Sequence, residues 1–168
     1  MSMITRALMY AALIAWSSAQ TSAAYTPKQL HTLFFGSNIS AGFAPADATT
    51  YYWGSQIGVN PATVADSQFR GVSPVTGTVA FGSVVLQVDG TLGSSENITH
   101  TLNNITAATS QNITTTGVAT AQKNIATNSA MTLAVTAGDK LQMKMVTPTW
   151  ATNPTITYWY AMIVIRGS

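Results

Sequence analysis

LAVTAGDKLQMKMVTPTWATNPTITYWYAMIVIR, Leu133 to Arg166, is written in the period of a β-strand. In its KLQMKMV portion Leu141, Met143 and Met145 recur at every second position, with Gln142 and Lys144 between them. Such alternation puts one set of side chains in a core and the other in water. The preceding Ala137-Gly138-Asp139-Lys140 is a tight corner by composition, with a turn aspartate and not a catalytic Asp–Lys pair. Trp150 stands between Pro148 and Pro154, which predicts a pinned loop. The final run, TITYWYAMIVIR, is apolar at both parities. A strand of that kind is covered on both sides, or has one face in an interface.

Outward from this stretch the same signals recur. LHTLFF (30–35), TTYYWGSQIGV (49–59) and a long TGTVAFGSVVLQVDGTLG (76–93) read as strands, the last ending at an Asp89-Gly90 turn. ENITHTLNNIT alternates, with Ile98, His100 and Leu102 on one side. QNITTT, VATAQKNIA and SAMTLAVTA follow as short strands. The Asn positions of ENIT, NNIT, QNIT and KNIA (97, 104, 112 and 124) lack a fixed period, which argues against a solenoid. No convincing helix is legible after Pro27. Many short strands between turn signals predict an all-β sandwich or barrel over residues 29–168.

The composition suits that class. Only 7% of the 168 residues are charged, against 46% hydrophobic, and the net charge is +2. There is no cysteine, hence no disulfide framework, thiolate metal site or cysteine nucleophile. No run of Lys or Arg is present to follow a phosphate backbone, so nucleic acid is not an expected partner. Solubility falls to Thr, Ser, Asn and Gln, a composition of extracellular or particle-associated β proteins rather than of cytosolic enzymes.

SAMTLAVTAGDKLQMKMVTPTWATNP, and upstream VVLQVDGTLGSSENITHTLNN, resemble the carboxy-terminal half of small jelly-roll domains in tailed-phage virion proteins. These are similar in layout to the trimeric tumour-necrosis-factor-like sandwich. The resemblance implies a jelly-roll β-sandwich and a structural part in the particle: capsid decoration or cement protein, head fibre or tail-fibre tip. It brings no standard active site. It implies a homotrimer whose other partner is the major capsid protein or another virion protein. The apolar amino-terminal segment is not part of the pattern.

That segment, MSMITRALMYAALIAWSSAQTSAAYTPK (1–28), has an early Arg6, an apolar run from Ala7 to Trp16 and a small-residue stretch from Ser17 to Ala24. It reads either as a secretory signal peptide or as a helical arm that is apolar all round and needs partners. The run is too short for the ~20 apolar residues of a stable bilayer anchor.

The chemistry-bearing residues are few: five acids and two histidines. Asp89 and Glu96 flank one predicted hairpin, with His100 further along, a carboxylate pair with a histidine that would suit acid–base work or a metal, weighed against a turn role for Asp89 and a plain structural role for the others. His31 reads as a structural histidine, and Asp47 and Asp66 lie in loops without EF-hand spacing. No GxSxG, HExxH, P-loop or GxGxxG occurs. No catalytic residue, metal or cofactor is expected. Four sequons, at Asn38, Asn97, Asn104 and Asn112, are chance products of an Asn- and Thr-rich chain. Met131, Met143, Met145 and Met162 are expected in the core.

The aromatics are the more informative set. Leu8, Leu13, Trp16, Trp150, Tyr158, Trp159 and Tyr160 are the candidates for a subunit interface. Tyr51, Tyr52 and Trp53 are candidates for stacking on a host surface glycan. The expected function is that of a non-enzymatic virion protein that decorates or cements a capsid as a homotrimer. The alternatives are a receptor-binding fibre tip and a secreted carbohydrate-binding or adhesive module with a cleaved signal peptide. The expected location is the virion surface, or the extracellular space for the secreted module.

Overall fold

The computed structural model describes residues 29–36, 43–55, 61–64, 71–88, 96–117, 123–154 and 157–168. The amino-terminal segment with Leu8, Leu13 and Trp16 lies outside them, as do Asn38, Asp66 and the Asp89-Gly90 turn. No helix occurs among the described residues.

The strands in chain order are β1 (Leu30–Gly36), β2 (Thr50–Trp53), β3 (Gly71–Val72), β4 (Gly77–Val88), β5 (Asn97–Asn104), β6 (Thr109–Gly117), β7 (Lys123–Asn128), β8 (Ala134–Val135), β9 (Lys140–Val146) and β10 (Thr157–Gly167). They form two antiparallel sheets. The first runs β1-β10-β4-β7, with β8 also on β4; the second runs β2-β9-β5-β6, with β3 also on β9. The order is that of a long hairpin rolled on itself: β1 with β10, β2 with β9, β4 with β7 and β5 with β6. This is the jelly roll, and the fold is an all-β jelly-roll sandwich.

Alternation sets which side chains enter the core. On β9 Leu141, Met143 and Met145 are fully buried, and on β10 Trp159, Ala161, Ile163 and Ile165 are buried. β4 changes parity along its length: Val84 and Leu86 are buried at even positions, but Val79 is buried at an odd one. The register opposite β10 slips between Val164 and Ile165, so that Val164 faces Phe81 and Ile165 faces Val79. Ala80 is the extra residue of a β-bulge, which resets the alternation. Gly82 then falls on an inward position where a Cβ would come within 2.6 Å of Met131 Sδ. Its missing side chain is the space that Met131 fills.

Only Ala134–Val135 of the expected SAMTLAVTA strand pairs in a ladder, although Met131, Leu133 and Val135 are buried as their spacing predicts. Met162 departs from the expected Met core. It stands on β10 between inward-facing Ala161 and Ile163, and alternation turns it outward, where it is half-buried.

The Ala137–Lys140 corner is a structural clamp. Gly138 has φ +91°, a conformation natural to glycine. The Asp139 carboxylate accepts from Thr136 N–H (2.8 Å) and from Asn104 Nδ2 (2.7 Å). Ser73 N–H donates to the Asp139 carbonyl at 2.8 Å. Asp139 and Asn104 are both buried, so the Asn104 sequon is closed in the folded chain. The loop after β9 is pinned as predicted. Trp150 N–H donates to Asp47 Oδ1 at 3.0 Å, Ala151 N–H donates to Glu96 Oε1, and Ala48 N–H donates to the Pro148 carbonyl at 2.9 Å.

Candidate assembly face

The two sheets bury their inner faces against each other. Their outer faces differ. On the first sheet, antiparallel register lines up outward residues in rows across four strands. One row is Gly36, Tyr160, Val85 and Ile125; the next is Phe34, Met162, Ser83 and Thr127; the third holds Thr32, Val164 and Phe81. Leu30 closes the edge beside Arg166. Leu30, Phe34 and Ile125 are 65%, 52% and 62% exposed. Tyr158, Tyr160, Met162, Val164, Phe81 and Val85 are half-buried. The rows make a contiguous apolar surface, where a lone soluble domain usually scatters its exposed apolar side chains. Arg166 is its one described charged side chain, and it lies at one end.

The outer face of the second sheet is mainly polar, with Val72 (56% exposed) opposite Lys140 and Val146 opposite Thr99 as its apolar members. It carries Tyr52 on β2, Lys140 and Lys144 on β9, Thr99, Thr101 and Asn103 on β5, and Ser110 and Asn112 on β6. Thr101 Oγ1 donates to Asn112 Oδ1 at 2.8 Å across two strands.

The interface candidates therefore divide. Tyr158 and Tyr160 stand on the apolar outer face. Trp159, between them, is fully buried in the core and stacks on Trp53. Trp150 is also buried, under the loop that it anchors. Neither tryptophan is available to another subunit in this fold.

The glycan candidates divide by the same alternation. Tyr51 and Trp53 point into the core, and Tyr51 Oη accepts from Ala46 N–H at 2.6 Å. Tyr52 alone faces out, and its backbone bridges to Ala62. Three consecutive strand residues cannot share one face, so they do not form a stacking platform.

Glu96 and His100 are both buried, on the same side of β5 as Ile98 and Leu102. Glu96 holds Ala151 N–H, and His100 Nδ1 accepts from Trp159 Nε1 at 3.3 Å. Burial pushes the His100 pKa down to about 3. Among the described residues no three His, Asp or Glu side chains lie close enough to hold a metal ion.

The sequence reading missed Leu30, Phe34, Phe81, Val85 and Ile125 as members of the face. LHTLFF and VAFGSVVL are apolar at both parities, which was the available signal; the register that joins them to Tyr160 and Met162 is non-local.

Fold and face together define a jelly-roll β-sandwich with one apolar and one polar outer surface. No family model matches the chain, and no curated protein matches it in sequence. Among solved structures it is similar to a chain of the infectious bursal disease virus Gx strain at 10% identity, covering 84% of this chain and 33% of that one, with a TM-score of 0.44. It is similar to a chain of the Aeromonas sobria serine protease–chaperone complex at 10% identity, covering 89% and 29%, with a TM-score of 0.44. It is also similar to the Eiger TNF of S. frugiperda at 12% identity, covering 83% and 94%, with a TM-score of 0.42. The chain thus spans about a third of the length of the first two, 33% and 29%.

Proposed function

We propose that the chain is a non-enzymatic structural protein of a virion, of the capsid decoration or cement kind, and that it self-assembles as a homotrimer through the outer face of β1-β10-β4-β7. The observation that carries this reading is the contiguous apolar surface around Tyr160, Met162 and Phe34. Removing a Leu, Ile or Phe side chain fully from water is worth ~1.5–3 kcal/mol. Several such side chains stand here with no cover from their own sandwich. A second copy brings the same surface, and the trimeric layout that the Ser129–Pro154 region resembles sets the expected number at three. That resemblance also supplies the virion assignment and the major capsid protein, or another virion protein, as the further partner. The non-enzymatic reading is supported by Glu96 and His100, which are engaged in core contacts and closed to a substrate.

Size-exclusion chromatography with light scattering tests the assembly. The expected mass is three times the 17.7 kDa of the chain. Phe34→Glu, which sets a charge on the face, is expected to shift the mass to that of one chain. A wild-type protein that stays monomeric at micromolar concentration would overturn the reading.

A further inference from the structure

Three side chains from three strands meet between the sheets. Trp53 of β2 stacks on Trp159 of β10 with ring centroids 4.2 Å apart and planes 15° from parallel. Trp159 Nε1 donates to Nδ1 of His100 on β5 at 3.3 Å. β2 and β5 belong to the second sheet and β10 to the first, so both contacts cross the gap. An indole N–H can only donate. His100 Nδ1 must therefore present a lone pair, and the ring is the neutral tautomer protonated on Nε2.

We propose that this trio is an acid-labile latch between the two sheets, and that opening it loosens the assembly face. A proton on Nδ1 removes the acceptor and sets an imidazolium against the positive edge of the indole. Trp159 is flanked on β10 by Tyr158 and Tyr160 of the outer face. Displacing it moves the strand that carries that face. This second half rests on the proposed self-assembly; the latch itself does not.

The surroundings offer the imidazolium little compensation. The ionisable groups on the interior side are Glu96 just before β5, Tyr51 of β2, His31 of β1, whose backbone pairs with Ile165, and Asp139 before β9, whose carboxylate is held by Asn104 of β5. Glu96 and Tyr51 already accept backbone N–H groups from loops. The described inward residues of β9 and β10, Leu141, Met143, Met145, Trp159, Ala161, Ile163 and Ile165, are apolar, and β3, β4, β6 and β8 contain no ionisable residue.

The sign follows from linkage. Burial pushes His100 down from 6.5 to about 3 in the folded chain, and unfolding restores the higher value. The stabilisation is complete above pH 6.5. As pH falls below that, the unfolded chain gains a proton that the folded chain refuses until about pH 3. The unfolding constant therefore rises towards a limit of about tenfold per pH unit, about 100-fold in all from pH 7.5 to 4.5.

Urea unfolding of the full chain between pH 7.5 and 4.5, followed by tryptophan fluorescence, tests the latch. His100→Gln keeps an acceptor but does not titrate, and is expected to remove this about 100-fold rise. His31→Gln is expected to keep it. An unchanged pH slope in His100→Gln overturns the proposal. Should that variant fail to fold, NMR of the wild type decides, with His31→Gln assigning the imidazole signals: no His100 titration above pH 4.5 supports the latch, and titration near 6.5 overturns it. Light scattering over the same range reads the assembly. Dissociation at a lower pH in His100→Gln than in the wild type is expected, and an identical pH overturns the link to the face. A chain already monomeric at neutral pH removes the self-assembly reading, while the unfolding slope still judges the latch.

Discussion

The two outer faces of this sandwich are built from the same kind of antiparallel ladder, yet one is mainly apolar and the other mainly polar, with Val72 and Val146 as its apolar members. Both sheets already own a core on their inner sides, so fold stability does not require the difference. On the second sheet, outward positions carry Thr, Asn, Ser and Lys, and Thr101 and Asn112 satisfy each other across strands. On the first, the equivalent positions carry Phe34, Tyr160, Met162, Val85 and Ile125. In a chain with only 7% charged residues, leaving such a surface open to water invites association. The contrast is what makes the first sheet the proposed site of contact with other subunits and the second the face compatible with water.

Placing the same charge on each face should separate them most strongly. Met162 lies in the row between Phe34 and Ser83. Met162→Lys is expected to weaken self-association at least ~100-fold, about 2.7 kcal/mol, because an unpaired ammonium must be desolvated in the contact. Ser110→Lys, on the exposed polar face, is expected to leave association unchanged. Sedimentation equilibrium reads both. Equal effects at the two positions would show that the faces are not functionally distinct.

A smaller effect is expected from within the polar face. Thr101→Val keeps the shape of the side chain but removes the O–H that donates to Asn112. Thr101 is buried, so the substitution leaves Asn112 Oδ1 without this donor; about 1 kcal/mol of monomer stability should be lost, as measured by urea unfolding. Association should not change. A shift in oligomeric mass would tie the second sheet to the interface.

Much of this contrast was legible in single strands and little of it between them. KLQMKMV disclosed its core and solvent sides because nothing interrupts its alternation. The last strand disclosed its surplus of apolar faces in the same way. TGTVAFGSVVLQV alternates in its second half, where Val84 and Leu86 are buried, but not across the bulge at Ala80, which reverses the inward parity and depends on the partner strand. Met162 was placed in the core by residue type, when its position next to Ile163 on a two-faced strand allowed either side. Tyr51, Tyr52 and Trp53 were grouped by adjacency, although a strand sends neighbours to opposite faces. The assembly face as a surface needed the pairing of β1, β10, β4 and β7, strands separated by up to the length of the body. Local sequence patterns do not encode that register.

The least disruptive test concerns the margin of the apolar face. Ile125 sits on β7 beside Val85, at the opposite edge from Phe34, and is 62% exposed. Residues at the rim of an interface contribute less than those desolvated at its centre. Ile125→Thr replaces a methylene-bearing branch with a hydroxyl of similar β-preference, so the strand should be preserved. Association is expected to weaken by no more than ~3-fold, about 0.7 kcal/mol, in the same sedimentation experiment. A loss as large as that from Met162→Lys would move the centre of the contact from β10 to β7, and the subunits would then meet edge to edge rather than face to face.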